Sequence, residues 1–568
     1  MPLFSGSTRA PEPSGTGPVR ARRELRALLE SAEGVDPWLG ASLLLFLALV
    51  APWLGAVPVW DSRFYYDMCL LPGLRGPFHP LNFNCFGHPS MLYMLLFVPG
   101  QWISTGNVVL LNLTNVALGC LAIAAFWTIT GALWPGAGSR GDRILATAIL
   151  AVWPAALANS LSMNPDYGVF VFFLLFVAAL IPGRIRLAAL FAAFLVLSKE
   201  TGVLLYGLTT VLYLILFARG TAASERRTWS GVREHSVLFT PALLYLANIG
   251  LTLTRDQPVV WGGAATSLPR ILRRFVIFNP GEIYAGRYGP LIWILNMSWI
   301  LTACLLAAGL RLALVRSTRE NFRSKALSHR PLVFVLLVFA ATTYALTRYE
   351  TFSHARYLLA IAPFFILVFV ISLQILLPRS SLRYAFLGAT FLLLLASDFR
   401  TIDPISRRLW GTFSFGRHEL LKLTSWNNEC CGYSMDQLVY NLEYLKFDEI
   451  QNAIFADIRP TFKTTFVGNA KAEITWPGDV TPEGRRTLRV SDTVRVRYVS
   501  VNDLERRKDP PDTVYFVAFP NFDNGPDLQR LRRSYAVVSR KSYERSGYAV
   551  PVYTLRRRTP GTAAIAIP

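Results

Sequence analysis

The sequence carries little charge. Only 16% of its 568 residues are Asp, Glu, Lys or Arg, whereas a soluble domain carries about 25%. Charged residues are absent from five stretches, which are 37–60, 144–165, 236–254, 288–310 and 357–378. About 20 apolar residues are enough to cross the hydrocarbon core of a bilayer as a helix. The deficit therefore argues against a soluble protein and predicts a polytopic α-helical membrane protein.

Cysteine is also scarce, with six in the chain and no spacing that is typical of metal ligands. Cys69 and Cys85 fall in the same predicted outside loop, where an oxidising compartment would permit a disulfide or leave two free thiols. Cys430 and Cys431 are adjacent, and their state is left open. The cysteines therefore indicate no structural metal centre.

The pattern predicts no cleavable signal peptide, because the first apolar run starts only near residue 39, is long, and follows an Arg-rich leader. The net charge of +21 does not indicate nucleic-acid binding. Lys and Arg concentrate in alternate loops, as the positive-inside rule requires, and the basic residues of the tail are scattered among acidic ones. We expect a multi-pass protein of the inner (plasma) membrane with residues 1–38 in the cytoplasm.

Alternating the sides of the apolar stretches gives about eleven transmembrane helices between residues 39 and 400. Long outside loops cover 58–106 and 255–289, and Met91–Ile103 is predicted to be an interfacial helix broken at Pro99-Gly100. The predicted spans are 39–57, 107–130, 144–162, 167–182, 187–198, 201–218, 236–254, 288–310, 331–347, 357–377 and 382–398.

The tail, residues 401–568, has a different pattern and is predicted to be an extracytoplasmic α/β domain. Alternating β-branched and polar residues predict strands at Thr487–Val501 and Thr513–Phe519. Leucines at helical spacing predict an amphipathic helix at Met435–Lys446. The stretch 513–539 predicts the order strand, helix, strand.

Ionisable residues at the predicted outer helix ends are the candidates for a functional site. A charge at a membrane interface is costly unless it is paired, hydrated or used. The topology places residues from four separate parts of the sequence on one side of one helix bundle. These candidates are Asp61, Asp67, Asp166, Lys199, Glu200, His354 and Arg356.

Five of the seven candidates also have a simpler structural explanation. Asp61 could mark the membrane boundary and pair with Arg63, and Asp166 could cap the helix that follows it. Lys199 and Glu200 could form only an ion pair, and Arg356 could extend towards the interface. Against this, a lysine held below the membrane surface by a short fifth span is suited to a phosphate, which arginine also binds well.

Five short motifs resemble the large integral-membrane glycosyltransferases of the GT-C class, in the branch of protein O-mannosyltransferases and the lipid A aminoarabinose transferase. Their order and predicted sides match across residues 39–400. Ser62 and Ser90 depart from the family, which often has Asp-Glu and Pro-Pro at these places. The motifs are Asp61-Ser62-Arg63-Phe64-Tyr65, Gly87-His88-Pro89-Ser90-Met91-Leu92-Tyr93, Pro165-Asp166, Lys199-Glu200-Thr201-Gly202 and Arg356-Tyr357-Leu358-Leu359.

The resemblance implies an inverting transferase that moves a sugar from a polyprenyl-phosphate donor to an acceptor hydroxyl at the outer face. It implies Asp61 as general base and Lys199 and Arg356, with His354 and Tyr357, around the donor phosphate. The remaining candidates would orient the acceptor or a cation: Asp166, Asp67, Glu200, His88 and Tyr65.

The sequence assigns no certain cofactor and leaves a divalent cation open, although the Asp-x-Asp triplet of many soluble sugar transferases is absent. The expected partners are the donor, membrane lipids and an unknown glycan, lipid or protein acceptor, with no nucleic acid. The alternatives are a lipid-linked sugar flippase or transporter, a lipid-linked oligosaccharide ligase or polymerase, and a scaffold that only presents the tail. A transporter would place polar or broken-helix signals near the midplane of several spans, which the sequence does not show.

Overall fold

A computed structural model gives the architecture of the chain. It describes residues 36–58, 61–85, 88–136, 139–217, 235–253, 289–349, 355–398, 412–415, 418–422, 449–461, 464–469, 497–519, 524–545 and 548–558. The predicted loop 255–289 (except residue 289), the helix Met435–Lys446, most of the strand Thr487–Val501 and the pair Cys430-Cys431 lie outside this part of the chain.

Helices dominate the first 400 residues. They are α1 (Pro37–Val50), α2 (Asp61–Tyr65), α3 (Leu71–Arg75), α4 (Met91–Leu95), α5 (Val98–Ile103), α6 (Val108–Leu133), α7 (Arg140–Ala151), α8 (Pro154–Asn159), α9 (Pro165–Leu180), α10 (Ile185–Val196), α11 (Glu200–Phe217), α12 (Thr240–Leu253), α13 (Gly289–Leu314), α14 (Arg316–Ser328), α15 (Arg330–Tyr349), α16 (Ala362–Leu376) and α17 (Ser380–Asp398). Shorter helical turns are Ala51–Trp53, Tyr66–Leu70, Pro80–Phe83, Val237–Phe239 and Ala355–Ile361.

Each of the eleven predicted apolar segments coincides with one or more of these helices, and the chain is a multi-pass membrane protein. Within the described residues, four helices are long and apolar enough to cross a bilayer alone, or five if a pair bent by 106° at residue 315 counts as one span. Six further apolar helices are shorter. The number eleven stays a prediction.

Two segments differ from their predicted form. The third predicted span is broken between α7 and α8, where Pro154 begins a new helix, because proline cannot donate the backbone hydrogen bond of a continuous helix. The stretch Met91–Ile103 is indeed broken, but at Leu96–Phe97, and Pro99 lies in the first turn of α5, where its missing N–H costs nothing.

Helices α9 and α16 lie at the centre of the bundle. Nearly every residue of α9 is buried, and α16 is buried from Ala362 to Leu373. A helix that is apolar on all sides needs such a position. The rings of Phe173 and Phe364 contact one another with centroids 5.3 Å apart. The two central helices therefore fix the positions of the polar residues at their amino-terminal ends.

The tail contains seven strands in the described part of the chain: β1 (Thr412–Phe415), β2 (His418–Lys422), β3 (Thr465–Gly468), β4 (Arg497–Ser500), β5 (Thr513–Val517), β6 (Tyr535–Arg545) and β7 (Tyr548–Arg557). Helices α18 (Val501–Glu505) and α19 (Gly525–Ser534) accompany them. Five strands form a mixed sheet in the order β4-β3-β5-β7-β6, with β3 parallel to β4 and β5. The order strand, helix, strand predicted for 513–539 is present; an independent tail domain stays a prediction.

Candidate active site

Four charged side chains from four separate segments form one continuous row. Arg356 Nη2 donates a hydrogen bond to Asp61 Oδ2, and Arg356 Nε lies 4.0 Å from Asp166 Oδ2. Lys199 Nζ donates to Asp166 Oδ1 at 2.8 Å. The signs alternate along the row Asp61, Arg356, Asp166, Lys199. We call this set the charged row.

One end of the charged row is open. The side chains of Lys199 and Asp166 are 8% exposed and that of Arg356 is 12% exposed, whereas that of Asp61 is 51% exposed. Buried charges are tolerated when they are paired, and the alternation of sign supplies a partner for each. Asp61 is therefore the one carboxylate of the row that a ligand can reach without displacing the protein's own packing.

Two tyrosines line the charged row. The Lys199 ammonium lies 4.3 Å from the centre of the Tyr357 ring, and the Arg356 guanidinium carbon lies 5.3 Å from it, so both cations face its π-electrons. Tyr65 is buried, and all four charges of the row act on it electrostatically. Burial raises the pKa of Tyr65, so it keeps its proton and can donate a hydrogen bond.

Asp166 faces the two cations because another residue caps its helix. The side chain of Asn164 accepts a hydrogen bond from the backbone N–H of Asp166 at 3.1 Å, and Asn164 is the N-cap residue of α9. The interpretation of Asp166 as the cap is therefore wrong. The sequence contained the correct signal, since Asn followed by Pro is a common start of a helix.

The turn that carries Asp166 is held by residues that sequence reasoning missed. The Tyr93 hydroxyl accepts from the backbone N–H of Asn164 at 3.1 Å and donates to Asn115 Oδ1 at 2.9 Å. Ser62 Oγ, next to Asp61, accepts from the N–H of Met163 at 2.7 Å. These bonds tie the segment of Asp61 to that of Asp166. No sequence pattern marks such long-range partners.

Lys199 lies in a tight turn between α10 and α11. The N–H of Leu92 donates to Leu197 O at 3.1 Å, and that of Gly202 donates to Lys199 O at 2.9 Å. A Cβ at Gly202 would lie only 2.1 Å from the carbonyl oxygen of Leu195. The glycine of this motif is thus needed for the close approach of the two helices that places Lys199.

The other predicted site residues occupy different positions. Arg63 Nε donates to Asp67 Oδ2 at 2.5 Å, an i,i+4 pair, so the acidic partner identified for Arg63 is Asp67. His88 Nδ1 and Glu200 Oε2 are 2.7 Å apart and form a second pair beside Lys199. His354 and Gly87 lie outside the described residues.

The loop after α2 is cross-linked by a disulfide between Cys69 and Cys85. The structure thus shows this pair bonded, where the sequence left two alternatives. Within the segments that the structure describes, no group of three or more His, Cys, Asp or Glu residues could hold a metal ion.

No protein-family model and no curated protein matches this chain. Solved structures do resemble it. ArnT from Cupriavidus metallidurans, bound to undecaprenyl phosphate, is 14% identical, with a TM-score of 0.49 over 91% of this chain and 97% of that one. The apo state of ArnT gives 14% identity and a TM-score of 0.48 over 94% and 98% of the two chains.

A third structure is the oligosaccharyltransferase AglB from Archaeoglobus fulgidus, in complex with an inhibitory peptide and a dolichol-phosphate. It is 13% identical, with a TM-score of 0.38 over 64% of this chain and 55% of that one. All three structures are of GT-C glycosyltransferases, the class that the motifs resemble. At these TM-scores the likeness carries no argument about chemistry, which has to come from the residues of this chain.

Proposed function

We propose that this protein is an inverting glycosyltransferase that moves a sugar from a polyprenyl-phosphate donor to an acceptor hydroxyl at the outer face of the membrane. The single observation that supports it most is the charged row, in which a half-exposed carboxylate adjoins two buried cations. The proposal includes an inner-membrane location, eleven spans, a cytoplasmic amino terminus and an extracytoplasmic tail.

Asp61 is the proposed general base. Its carboxylate takes the proton of the acceptor hydroxyl, whose oxygen attacks the anomeric carbon from the side opposite the phosphate. The bond between that carbon and the phosphate oxygen breaks, and its electron pair leaves with the lipid phosphate. Lys199 and Arg356 neutralise the charge that develops there. Asp166, between the two cations, holds them in place.

The charge of the row suggests how the donor engages it. The four side chains carry two positive and two negative charges, so the row is neutral before a ligand arrives. A phosphate beside Arg356 competes with Asp61 for the guanidinium. Donor binding then leaves the Asp61 carboxylate available to the acceptor hydroxyl.

The remaining predicted residues have supporting roles in the proposal. Tyr65 and Tyr357 line the phosphate site, and His88 and Glu200 contact one of the substrates. Asp67, which pairs with Arg63, keeps its predicted role in orienting the acceptor or a cation. His354, outside the described residues, keeps its predicted role beside the donor phosphate. The tail is proposed to select the acceptor, because the proposed topology places it on the same side as the site.

Replacement of Asp61 by Asn tests the assignment of the base. In proteoliposomes, Asp61→Asn should abolish measurable sugar transfer, a loss of about 10²–10⁴-fold, while bare undecaprenyl phosphate still binds. Glu320→Gln is the matched control, because Glu320 is an exposed carboxylate that also pairs with an arginine, Arg316. Normal transfer by Asp61→Asn would contradict the proposal.

The same experiment separates a transferase from a lipid-linked sugar transporter. A transporter moves the intact donor across the bilayer and forms no new glycosidic bond. Movement of a labelled donor by the wild type, without any glycosylated product from a panel of glycan, lipid and peptide acceptors, would therefore favour the transporter.

A further inference from the structure

A second group of polar side chains lies beside Lys199 and has no part in the charged row. It combines residues of the loop after the 3₁₀ turn Pro80–Phe83 with one side of α12 and the first residue of α11. We call it the α12 polar cluster, and its members are Asn84, His88, Glu200, Tyr245, Asn248 and Thr252.

Hydrogen bonds join the loop to α12. Asn84 Nδ2 donates to Asn248 Oδ1 at 2.9 Å and to Thr252 Oγ1 at 3.1 Å. The positions 245, 248 and 252 follow one another at helical spacing, so they share a side of α12. Tyr245 lies close enough to Glu200 to interact with it electrostatically, which brings the His88–Glu200 pair to the same side.

The loop is fixed where it meets the cluster. The N–H of His88 donates to Cys85 O at 2.7 Å, and Cys85 is held by the disulfide to Cys69. Ser90 Oγ accepts from the N–H of Cys85 at 3.0 Å and donates to Phe83 O at 2.9 Å. The residues on either side of Asn84 and the backbone of His88 are therefore anchored, which favours a fixed position for both side chains, as a binding site requires.

The cluster is not closed on itself. Asn84 Oδ1 is buried and accepts no hydrogen bond within the described part of the chain. The side chains of His88 and Glu200 keep 18% and 16% of their surface exposed. A buried acceptor without a donor is costly, and a bound hydroxyl group would remove that cost.

The chemistry of the cluster suits a sugar better than a phosphate. A phosphate only accepts hydrogen bonds when it is ionised, and the Glu200 carboxylate would repel it. A sugar hydroxyl both donates and accepts, so it can bond to a carboxylate, an amide and a phenol together. Since Glu200 directly follows Lys199, the cluster begins one residue from a proposed phosphate ligand.

We infer that the α12 polar cluster binds the sugar ring of the lipid-linked donor, next to the phosphate held by Lys199 and Arg356. The inference rests on the proposed function and deepens it. It assigns donor-sugar recognition to the six residues of the α12 polar cluster, whereas the charged row recognises the phosphate that all such donors share.

The test compares the binding of bare and sugar-bearing lipids to the full-length protein in nanodiscs. The probes are bare undecaprenyl phosphate and a panel of undecaprenyl phosphates that carry a hexose, a pentose or an amino sugar. Tyr245→Phe and Asn84→Ala should each weaken binding of the preferred sugar-bearing lipid roughly five- to tenfold, as expected for a lost hydrogen bond. The affinity for bare undecaprenyl phosphate should stay within about twofold of the wild-type value, because neither substitution removes a group that is proposed to bond to the phosphate.

Matched controls are available in the same protein. Tyr344→Phe removes an exposed phenol, and Thr128→Val removes an exposed hydroxyl from α6. Neither should change the affinity for either lipid. Thermal unfolding is measured for every variant. If a residue has only a structural role, its replacement should lower the unfolding temperature and weaken the binding of bare and sugar-bearing lipids equally.

Three outcomes would overturn the inference. They are equal binding of bare and sugar-bearing lipids by the wild type, equal losses for both lipids in the cluster variants, and a raised KM for the acceptor with unchanged donor binding. Lys199→Ala separates this failure from failure of the proposed function. This substitution should weaken the binding of both bare and sugar-bearing lipids. An unchanged affinity for bare undecaprenyl phosphate would contradict the proposed phosphate site itself.

Discussion

Two carboxylate–arginine groups lie at different places in the helix bundle and differ in one respect. In the charged row, Arg356 pairs with Asp61, whose side chain is half exposed. In the first turn of α7, Asp142 accepts from Arg383 Nε at 2.7 Å and from Gln374 Nε2 at 3.0 Å, and it is fully buried. The first group has an accessible end, and the second is closed.

The difference shows why an ion pair in a membrane protein does not by itself indicate a site. Arg383 also donates to the carbonyl oxygen of Leu377 at 3.2 Å, so the Asp142 group joins α7, α16 and α17 and satisfies its own polar atoms. The charged row carries two cations on a central helix end and a neighbouring turn, with a carboxylate that a ligand can reach. We therefore interpret the Asp142 group as structural and the charged row as functional.

Asp142→Asn tests the structural half of this comparison and has the largest expected effect. It leaves the buried Arg383 charge without its counterion, which should lower stability by about 3–5 kcal/mol. Thermal unfolding in detergent measures the loss. Transfer activity per folded molecule should stay at the wild-type level. A loss of activity without a loss of stability would mean that the Asp142 group is functional too, which contradicts the comparison.

Lys199→Ala tests the functional half. Removal of one cation from the charged row should lower kcat/KM for sugar transfer by about 10²–10³-fold, because the proposed function assigns its charge to the leaving phosphate. Lys325→Ala, on the exposed face of α14, is the matched control and should have no effect. If the Lys199→Ala protein folds and transfers sugar at the wild-type rate, the charged row is not functional and the distinction from the Asp142 group fails.

The double substitution Cys69→Ser with Cys85→Ser tests whether the α12 polar cluster needs the disulfide that anchors Cys85. The disulfide spans 16 residues, and a loop of this size corresponds to about 3 kcal/mol of stability. A lower unfolding temperature is expected, together with a weaker preference for the sugar-bearing lipid. Cys120→Ser, at a free cysteine of α6, should leave both unchanged.

Gly202→Ala has the smallest expected effect. The added Cβ meets the carbonyl of Leu195 at 2.1 Å, so α10 and α11 must separate, which costs about 1–3 kcal/mol and displaces Lys199. Gly207, on the same helix, has nothing within 4 Å of such a Cβ. Transfer and unfolding temperature should fall for Gly202→Ala and not for Gly207→Ala. Equal behaviour of the two variants would show that the turn tolerates side chains.

Local pattern predicted the helices well. Within the described residues, each charge-free stretch contains at least one helix, because the backbone of an apolar segment in lipid has no other way to satisfy its hydrogen bonds. Pro154 is a local signal for the break before it, although the hydropathy pattern predicts one continuous span there. The i,i+4 spacing of Arg63 and Asp67 was likewise available once a helix was assumed there.

Local pattern did not predict which residues the site residues contact. The sequence placed Asp61, Asp166, Lys199 and Arg356 on one side of a bundle by counting spans, which is information about side and depth only. It offered Arg63 as the partner of Asp61, whereas Arg356, 295 residues away, bonds to it. Ser62 and Tyr93 stand in two of the motifs, but the sequence offered no partner for them or for Asn115, since each bonds to a residue far away in the sequence.

The sequence by itself determined that this chain crosses a membrane and which residue types it presents at the ends of its helices, because hydropathy and charge act over one local segment. Only the tertiary structure decided which of those residues touch, since the packing of α9 and α16 at the centre fixes the distances between their ends. It also decided that Asp61 remains accessible while Asp142 is closed, because accessibility depends on all the neighbours that fill the surrounding space.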